Sequence, residues 1–115
     1  MSELRIRSKI WFEIEGQPLL GEGRFRLLSA VERAGSINAA AKNLDISYRK
    51  AWSQLEDMEQ HAPFPLLERR VGGKGGGESQ LTAETRELLK NFRLLREQIN
   101  NAADYYFAEV FPMEE

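Results

Sequence analysis

The sequence predicts a mainly helical domain with a small amount of β-structure, and three observations lead to this prediction. Two helical segments, each preceded by a serine that can cap it, lie between Gly35 and Gln60. Two strand-like segments around a glycine-rich tip follow at residues 66–81, and a long amphipathic helix occupies residues 82–108. Together these features describe a helix-turn-helix followed by a β-hairpin wing, which is a winged helix-turn-helix.

Length and composition set the broad class of protein. With 115 residues, 42% of them hydrophobic, we expect a single domain over residues 1–115. The sequence contains no cysteine, which excludes disulfides and thiolate chemistry. No apolar segment approaches the roughly 20 residues of a membrane-spanning helix, and the N-terminus lacks a signal-peptide core. We therefore expect a cytoplasmic protein that does not contact a membrane.

The charge is unevenly distributed along the chain. The net charge of -2 argues against a strongly basic nucleic-acid-binding domain. The acidic excess, however, lies between Thr82 and Glu115. Basic residues cluster instead at the helix-turn-helix and at the hairpin after it: Lys42, Arg49, Lys50, Arg69, Arg70 and Lys74. A local positive surface can therefore form despite the net negative charge.

The N-terminal segment, residues 1–20, is expected to form a β-ribbon. Residues 5–14 alternate between apolar and polar side chains and predict a strand. Turn residues at positions 15–18 predict that a second short strand pairs back onto it. Because a two-stranded ribbon is marginal by itself, we expect it to lie on the helices or on a second subunit.

The helical core is predicted over residues 24–60. Its first helix runs from about Arg24 to Ala34 and ends at Gly35, a residue that tolerates the positive φ of a helix C′ position. The helix-turn-helix then occupies residues 36–60.

Serine caps and an apolar stripe define the two helices of this motif. Ser36 and Ser47 each lie where a hydroxyl can accept from a backbone N–H in the first turn of a helix. On the second motif helix, Trp52 widens a predicted buried stripe that consists of Ala51, Leu55 and Met58. The other side of that helix is predicted to be free.

The free side carries side chains suited to DNA. Its members are Tyr48, Arg49, Lys50, Ser53, Gln54 and Asp57. In a helix-turn-helix, the N-terminal part of the second helix meets the base edges. Arginine and lysine suit guanine, glutamine suits adenine, and hydroxyls suit phosphates. The alternative from this segment alone is a helical hairpin with a solvated polar face.

The predicted wing has strands at residues 66–71 and 78–81 around a tip at residues 72–77. Glycines allow such a tip to approach a phosphate backbone closely, with Lys74 as its charge. A nucleotide-binding loop is disfavoured, because Lys74 is followed by Gly75 and no helix begins until Thr82. A merely flexible hairpin remains an alternative.

The last helix has an apolar seam with coiled-coil spacing. We predict that Thr82 caps this helix. The seam consists of Leu88, Phe92, Leu95, Ile99, Ala102 and Tyr106. It can pack on its own domain or on a second subunit, and we expect it to serve both and to make the protein a homodimer. The role of the aromatic segment at residues 105–111 stays open.

Two segments carry a family resemblance. The runs GSINAAAKNLDISYRKAW and LLERRVGGKGGGESQLT, with the leucine-rich helix after them, resemble the N-terminal DNA-binding domain of the molybdate-responsive transcriptional regulators, the ModE family. That domain is itself related to the winged helix of LysR-type regulators. The resemblance extends over roughly residues 18–103, and the glycine-rich wing from Arg69 to Gly77 is its most specific part.

The resemblance implies a dimeric, sequence-specific binder of double-stranded DNA that regulates transcription from a pseudo-palindromic operator. By residue, it implies helix contacts from Ser47, Tyr48, Arg49, Lys50, Ser53 and Gln54, and wing contacts from Arg69, Arg70, Gly73, Lys74 and Gly75. Regulators of this family continue into molybdate-sensing domains. We expect no molybdate-binding domain within these residues, no molybdate site and no cofactor.

Two other functional classes are alternatives to DNA binding. In the first, the winged helix binds a protein partner through Trp52, the wing and the acidic tail, and its DNA contact is vestigial. In the second, the protein is an enzyme. The sequence has one histidine, His61, which lies beside prolines, and no paired acidic residues in a catalytic arrangement. We therefore predict no enzymatic activity and no metal site.

Overall fold

Helices and two short β-hairpins make up the computed structural model, which describes residues 3–70 and 77–112. In chain order the elements are β1 (Phe12–Ile14), β2 (Gln17–Leu20), α1 (Glu22–Ala34), α2 (Ile37–Asn43), α3 (Tyr48–His61), β3 (Leu67–Arg70), β4 (Glu78–Leu81) and α4 (Ala83–Val110). This order confirms the predicted mainly helical, winged helix-turn-helix class.

Small side chains lie where α1, α2 and α3 meet. Ala30, Ala40 and Ala51 are 0% exposed and Ala41 is 1% exposed. Because alanine adds only a methyl group, the helix backbones can approach closely at these positions. Larger side chains, including Leu28, Val31, Leu55 and Met58, fill the remaining volume of the core. The three helices thereby form one packed unit, with α3 at its surface.

The predicted helix ends are confirmed by their hydrogen bonds. Ser36 accepts from the Ala39 N–H and Ser47 accepts from the Lys50 N–H, both at 3.0 Å. Gly35 ends α1 with φ of 80°, the left-handed conformation that favours glycine. These local features fix where α3 begins, and so fix which of its side chains can face a ligand.

Trp52 differs from its prediction. Instead of widening the buried stripe of α3, its side chain is 43% exposed. Ala51, Leu55 and Met58 are at most 1% exposed and fill that side of the helix alone. Since neighbouring helical residues are separated by about 100° around the axis, Trp52 lies at the margin of the stripe rather than within it.

The N-terminal ribbon is shorter than predicted. Only Phe12–Ile14 forms a strand, so the strand prediction for residues 5–11 is wrong. Its partner β2 has 4 residues, and the backbone N-terminal to Phe12 therefore has no strand beside it. Leu19 and Leu20 of β2 are buried at 7% and 1% exposure. The ribbon thus packs on the helices of its own protomer. This was one of the two predicted positions, the other being a second subunit.

The wing hairpin is tied to the end of α1. Its strands are antiparallel, with Leu67 opposite Leu81 and Arg70 opposite Glu78. The backbone N–H of Ser79 donates to the carbonyl of Gly35 at 2.9 Å. The glycine that ends α1 therefore also orients the base of the wing. The predicted tip lies mostly outside the described residues.

Helix α4 begins in the core and then extends away from it. Thr82 caps the helix as predicted, accepting from the Thr85 N–H at 3.2 Å. The Phe92 ring is fully buried between Phe25 and Phe12, with centroid distances of 5.1 and 5.2 Å. Beyond Phe92 most side chains are exposed, and the protomer measures 64 × 32 × 21 Å.

Candidate nucleic-acid interface

The first turn of α3 directs its polar side chains away from the core. Tyr48, Arg49, Lys50 and Ser53 are all exposed, and Tyr48 reaches 51%. The hydroxyl of Ser47 caps the helix as an acceptor, which leaves its own O–H free to donate. The predicted contact residues of the helix start are therefore brought together on one surface.

Two cations of this turn have no internal partner. In residues 3–70 and 77–112, neither Arg49 nor Lys50 forms a salt bridge. By contrast, Arg24, Arg69 and Arg96 of the same chain are all paired with carboxylates. The positive charge of Arg49 and Lys50 is consequently available to an external anion such as a DNA phosphate or to a base edge.

Gln54 and Asp57, one turn further along, are held by a residue of α1. Arg24 donates from Nε to Gln54 Oε1 at 2.9 Å and from Nη2 to Asp57 Oδ2 at 2.6 Å. Gln54 is part-buried, unlike the exposed residues Tyr48, Arg49 and Lys50 of the first turn. Because Oε1 is turned toward Arg24, the two-point adenine contact predicted for Gln54 is not pre-arranged in this structure, and its DNA contact remains a prediction.

Arg24 was not among the site residues predicted from the sequence. The sequence did contain one signal for Arg24, its position in the first turn of a helix. The helix dipole disfavours a cation there, so a nearby acceptor is expected to stabilise it. The identity of that acceptor was not available, because Gln54 and Asp57 lie 30 and 33 residues further along the chain.

An open cavity of about 790 Å³ lies beside these residues, between the ribbon, the start of α1 and α3. Four of its lining residues, Lys9, Arg24, Arg26 and Lys50, are basic, whereas Glu22 is bound to Arg96. Trp11 forms part of its wall and is 54% exposed. The basic surface of α3 thus continues toward the ribbon.

On its other side, α3 faces the wing. Arg69 of β3 donates to Glu59 of α3 at 3.2 Å, so this predicted wing contact is partly engaged within the protomer. Arg70 pairs with Glu78 through its backbone. Gly73, Lys74 and Gly75 lie outside the described residues, and their DNA contacts remain predictions.

The predicted dimerisation seam divides into two parts. Leu88 packs against the core and Phe92 is 0% exposed inside it, so Phe92 cannot contact a second subunit. Leu95, Ile99 and Tyr106 are 41%, 36% and 62% exposed, and Ala102 is exposed beside them. The seam therefore serves the protomer core first and becomes an apolar surface further along α4.

The described residues contain neither a cluster of metal ligands nor a membrane-spanning helix. Among residues 3–70 and 77–112, no three histidine, aspartate or glutamate side chains lie close enough together to hold a metal ion. No helix in the same ranges is long and apolar enough to cross a membrane.

Comparison with known proteins assigns the fold to a group of regulators. The family model for bacterial regulatory helix-turn-helix proteins of the lysR family matches residues 23–86. The transcriptional regulator ModE of Haemophilus influenzae is 43% identical over 91 residues, covering 79% of this chain and 36% of that protein. The molybdenum transport protein ModE of Azotobacter vinelandii is 38% identical over 104 residues, covering 90% and 38%. The chain spans little more than a third of the length of these curated relatives.

Solved structures agree with this assignment. The CbnR_DBD-DNA complex contains a chain with a TM-score of 0.58 and 28% identity, and the match covers 76% of this chain and 95% of that one. CbnR, a LysR family transcriptional regulator, has a TM-score of 0.50 and 32% identity, and the match covers 73% of this chain and 28% of CbnR. The resemblance found from the sequence is confirmed by these similarities.

Proposed function

The chain belongs to the lysR family of bacterial regulatory helix-turn-helix proteins, and on this premise we propose that it binds specific double-stranded DNA as a homodimer and regulates transcription. The proposal is carried by the observation that Arg49 and Lys50, in the first turn of α3, are exposed and form no salt bridge with any other described residue. Regulators of this kind are not enzymes, and no catalytic step is assigned here.

In the proposed complex, α3 enters the major groove with its N-terminal turn foremost. Arg49 and Lys50 contact guanine edges or phosphates, and the hydroxyls of Ser47, Tyr48 and Ser53 donate to phosphate oxygens. The wing, with Arg69, Arg70 and the Gly73 to Gly75 tip around Lys74, lies along the neighbouring backbone. Because chromosomal DNA is the ligand, we place the protein in the bacterial cytoplasm.

The dimer is proposed to form through the exposed part of α4, which carries Leu95, Ile99, Ala102 and Tyr106. A twofold axis that relates the α4 helices of two copies would place both α3 helices on one face of the duplex. In dimeric helix-turn-helix proteins, the half-sites lie about one helical turn, roughly 34–36 Å, apart. The operator is therefore expected to be a pseudo-palindrome.

Selection of binding sites from random duplex DNA tests the proposal. The full chain is expected to enrich an inverted repeat with half-sites about one turn apart, and its affinity is expected to fall steeply as salt rises. Failure to enrich any sequence at low salt, together with an affinity that does not depend on salt, would contradict it.

Exposed aromatic side chains favour a second candidate function. Trp52 and Tyr48 are 43% and 51% exposed, one turn apart on α3, and the chain carries a net charge of -2. A protein partner could cover these rings, since large aromatic side chains are enriched at protein interfaces. In that case, reversal of the charges at Arg49 and Lys50 would leave operator affinity unchanged.

A further inference from the structure

We propose that Arg24 is a positioning residue that turns the amide of Gln54 so that its NH₂ group faces the DNA and selects guanine over adenine at one position of each half-site. The proposal deepens the proposed function and rests on it. Arg24 lies on α1 and Gln54 on α3, so the inference depends on a contact between two helices.

Arg24 is anchored on three sides. Its Nη1 donates to the carbonyls of Pro18 and Leu19 at 3.1 and 3.3 Å, and its Nη2 donates to Asp57 Oδ2 at 2.6 Å. Its side chain is 22% exposed. Because the planar guanidinium is fixed by β2 and by Asp57, the direction of its remaining Nε–H bond, toward Gln54, is fixed too.

The chemistry of the pair determines the orientation of the amide. Arginine carries only donors, so the atom of Gln54 that faces it at 2.9 Å must be the acceptor, Oε1. The NH₂ group of Gln54 then points away from Arg24. In the described part of the chain, this NH₂ group donates to no protein acceptor. Two N–H donors are therefore presented beside Lys50, at the surface proposed to meet the groove.

This orientation changes the base that Gln54 prefers. A free glutamine pairs with adenine by accepting from N6 and donating to N7. Because Oε1 is turned toward Arg24 on α1, it faces away from a base in the groove, and the outward side of the amide offers only the donating half of that pair. Guanine presents two acceptors, N7 and O6, in the major groove, and it is therefore the base that an outward NH₂ group suits best.

Arg24 itself is not expected to contact DNA. All three of its guanidinium nitrogens already donate to protein oxygens, and Asp57 neutralises its charge. Its effect on DNA should therefore appear as a change in base preference at the position that Gln54 contacts, and not as a general loss of affinity. A purely structural role for Arg24 would not produce such a change.

The first experiment locates the base contacted by Gln54. Binding sites are selected from random duplex DNA with the wild-type chain and with Gln54→Ala. The position at which Gln54→Ala loses its preference is the Gln54 position, and there the wild type is expected to prefer guanine over adenine by about tenfold. Adenine at that position in the wild type, or no position that responds to Gln54→Ala, overturns the proposal.

The second experiment tests Arg24 directly. Arg24→Met keeps a long side chain but removes all donors, and it is expected to shift the preference at the Gln54 position from guanine to adenine. Arg33→Met, which removes an exposed cation from the same helix outside the cavity lining, serves as the matched control and should keep guanine there. A folded Arg24→Met chain that still prefers guanine overturns the proposal. If Arg24→Met does not fold, the wild-type preference in the first experiment decides.

The outcomes separate this inference from the function on which it rests. If the wild-type chain selects no DNA at all, the proposed function fails and the role of Arg24 fails with it. If the wild type selects an operator but reads adenine through Gln54, only the role of Arg24 fails.

Discussion

Arg96 of α4 donates from one guanidinium nitrogen to both carboxylate oxygens of Glu22, at 2.8 Å each, and so joins α4 to the first turn of α1. The same guanidinium lies over the rings of Phe25 and Phe92, at 4.8 and 5.7 Å from their centroids. The proposed dimerisation helix is thus fixed to the helical core that carries α3. A dimer axis on α4 would therefore determine the separation of the two α3 helices.

Replacement of Arg96 by alanine is expected to lower the free energy of unfolding by about 1–2 kcal/mol, because an ion pair and the cation–π contacts are lost together. Lys90→Ala, which removes an exposed cation from the same helix, is the matched control and should change stability by less than about 0.5 kcal/mol. Urea unfolding of both variants measures the difference. Equal stabilities would show that Arg96 does not hold α4 in place.

Two glycines should respond to alanine in opposite directions. Gly35 has φ of 80° and open space around an added Cβ, so Gly35→Ala should destabilise the protein through backbone strain alone, by about 1 kcal/mol. Gly23 lies within α1, also with open space around an added Cβ, and Gly23→Ala should stabilise by about 0.5–1 kcal/mol. Thermal unfolding reports both signs. A destabilising Gly23→Ala, or a neutral Gly35→Ala, would contradict the helix boundaries described here.

The exposed half of the α4 seam should control association. The double variant Leu95→Glu/Ile99→Glu places charges on side chains that are 41% and 36% exposed in the protomer, so the fold should survive while the dimer dissociates. Gln98→Glu, on an exposed polar residue of the same helix, is the control and should remain dimeric. Sedimentation equilibrium measures the masses. A wild-type chain that is monomeric, or a double variant that stays dimeric, would place the dimer interface elsewhere or remove it.

Features set by neighbouring residues were predicted well from the sequence. Ser36, Ser47 and Thr82 each cap a helix through a backbone N–H three residues away, and Gly35 ends α1 by its own conformation. In each case the residue type and its local spacing are sufficient to specify the bond. For the same reason the exposed polar start of α3 was predicted correctly from helical periodicity.

Features that depend on distant partners were not predicted. A strand was predicted at residues 5–14, but only Phe12–Ile14 forms one, because its partner β2 is short. The alternation of apolar and polar residues does not reveal the length of the partner strand. Phe92 shares the heptad spacing of Leu95 and Ile99, yet Phe25 and Phe12 enclose it. The contact between Arg24 and Gln54 likewise requires that α1 and α3 be packed together.

Charge reversal at Arg49 and Lys50 determines whether the N-terminal turn of α3 binds DNA. The measurement is the affinity of Arg49→Glu/Lys50→Glu for the selected operator, compared with Arg33→Glu/Lys90→Glu, which makes the same charge change at two exposed residues outside α3. If each lost contact is worth about 1–3 kcal/mol, the first variant should bind at least about thirtyfold more weakly than the second while remaining folded and dimeric. Equal affinities for the two variants would show that Arg49 and Lys50 do not contact the operator.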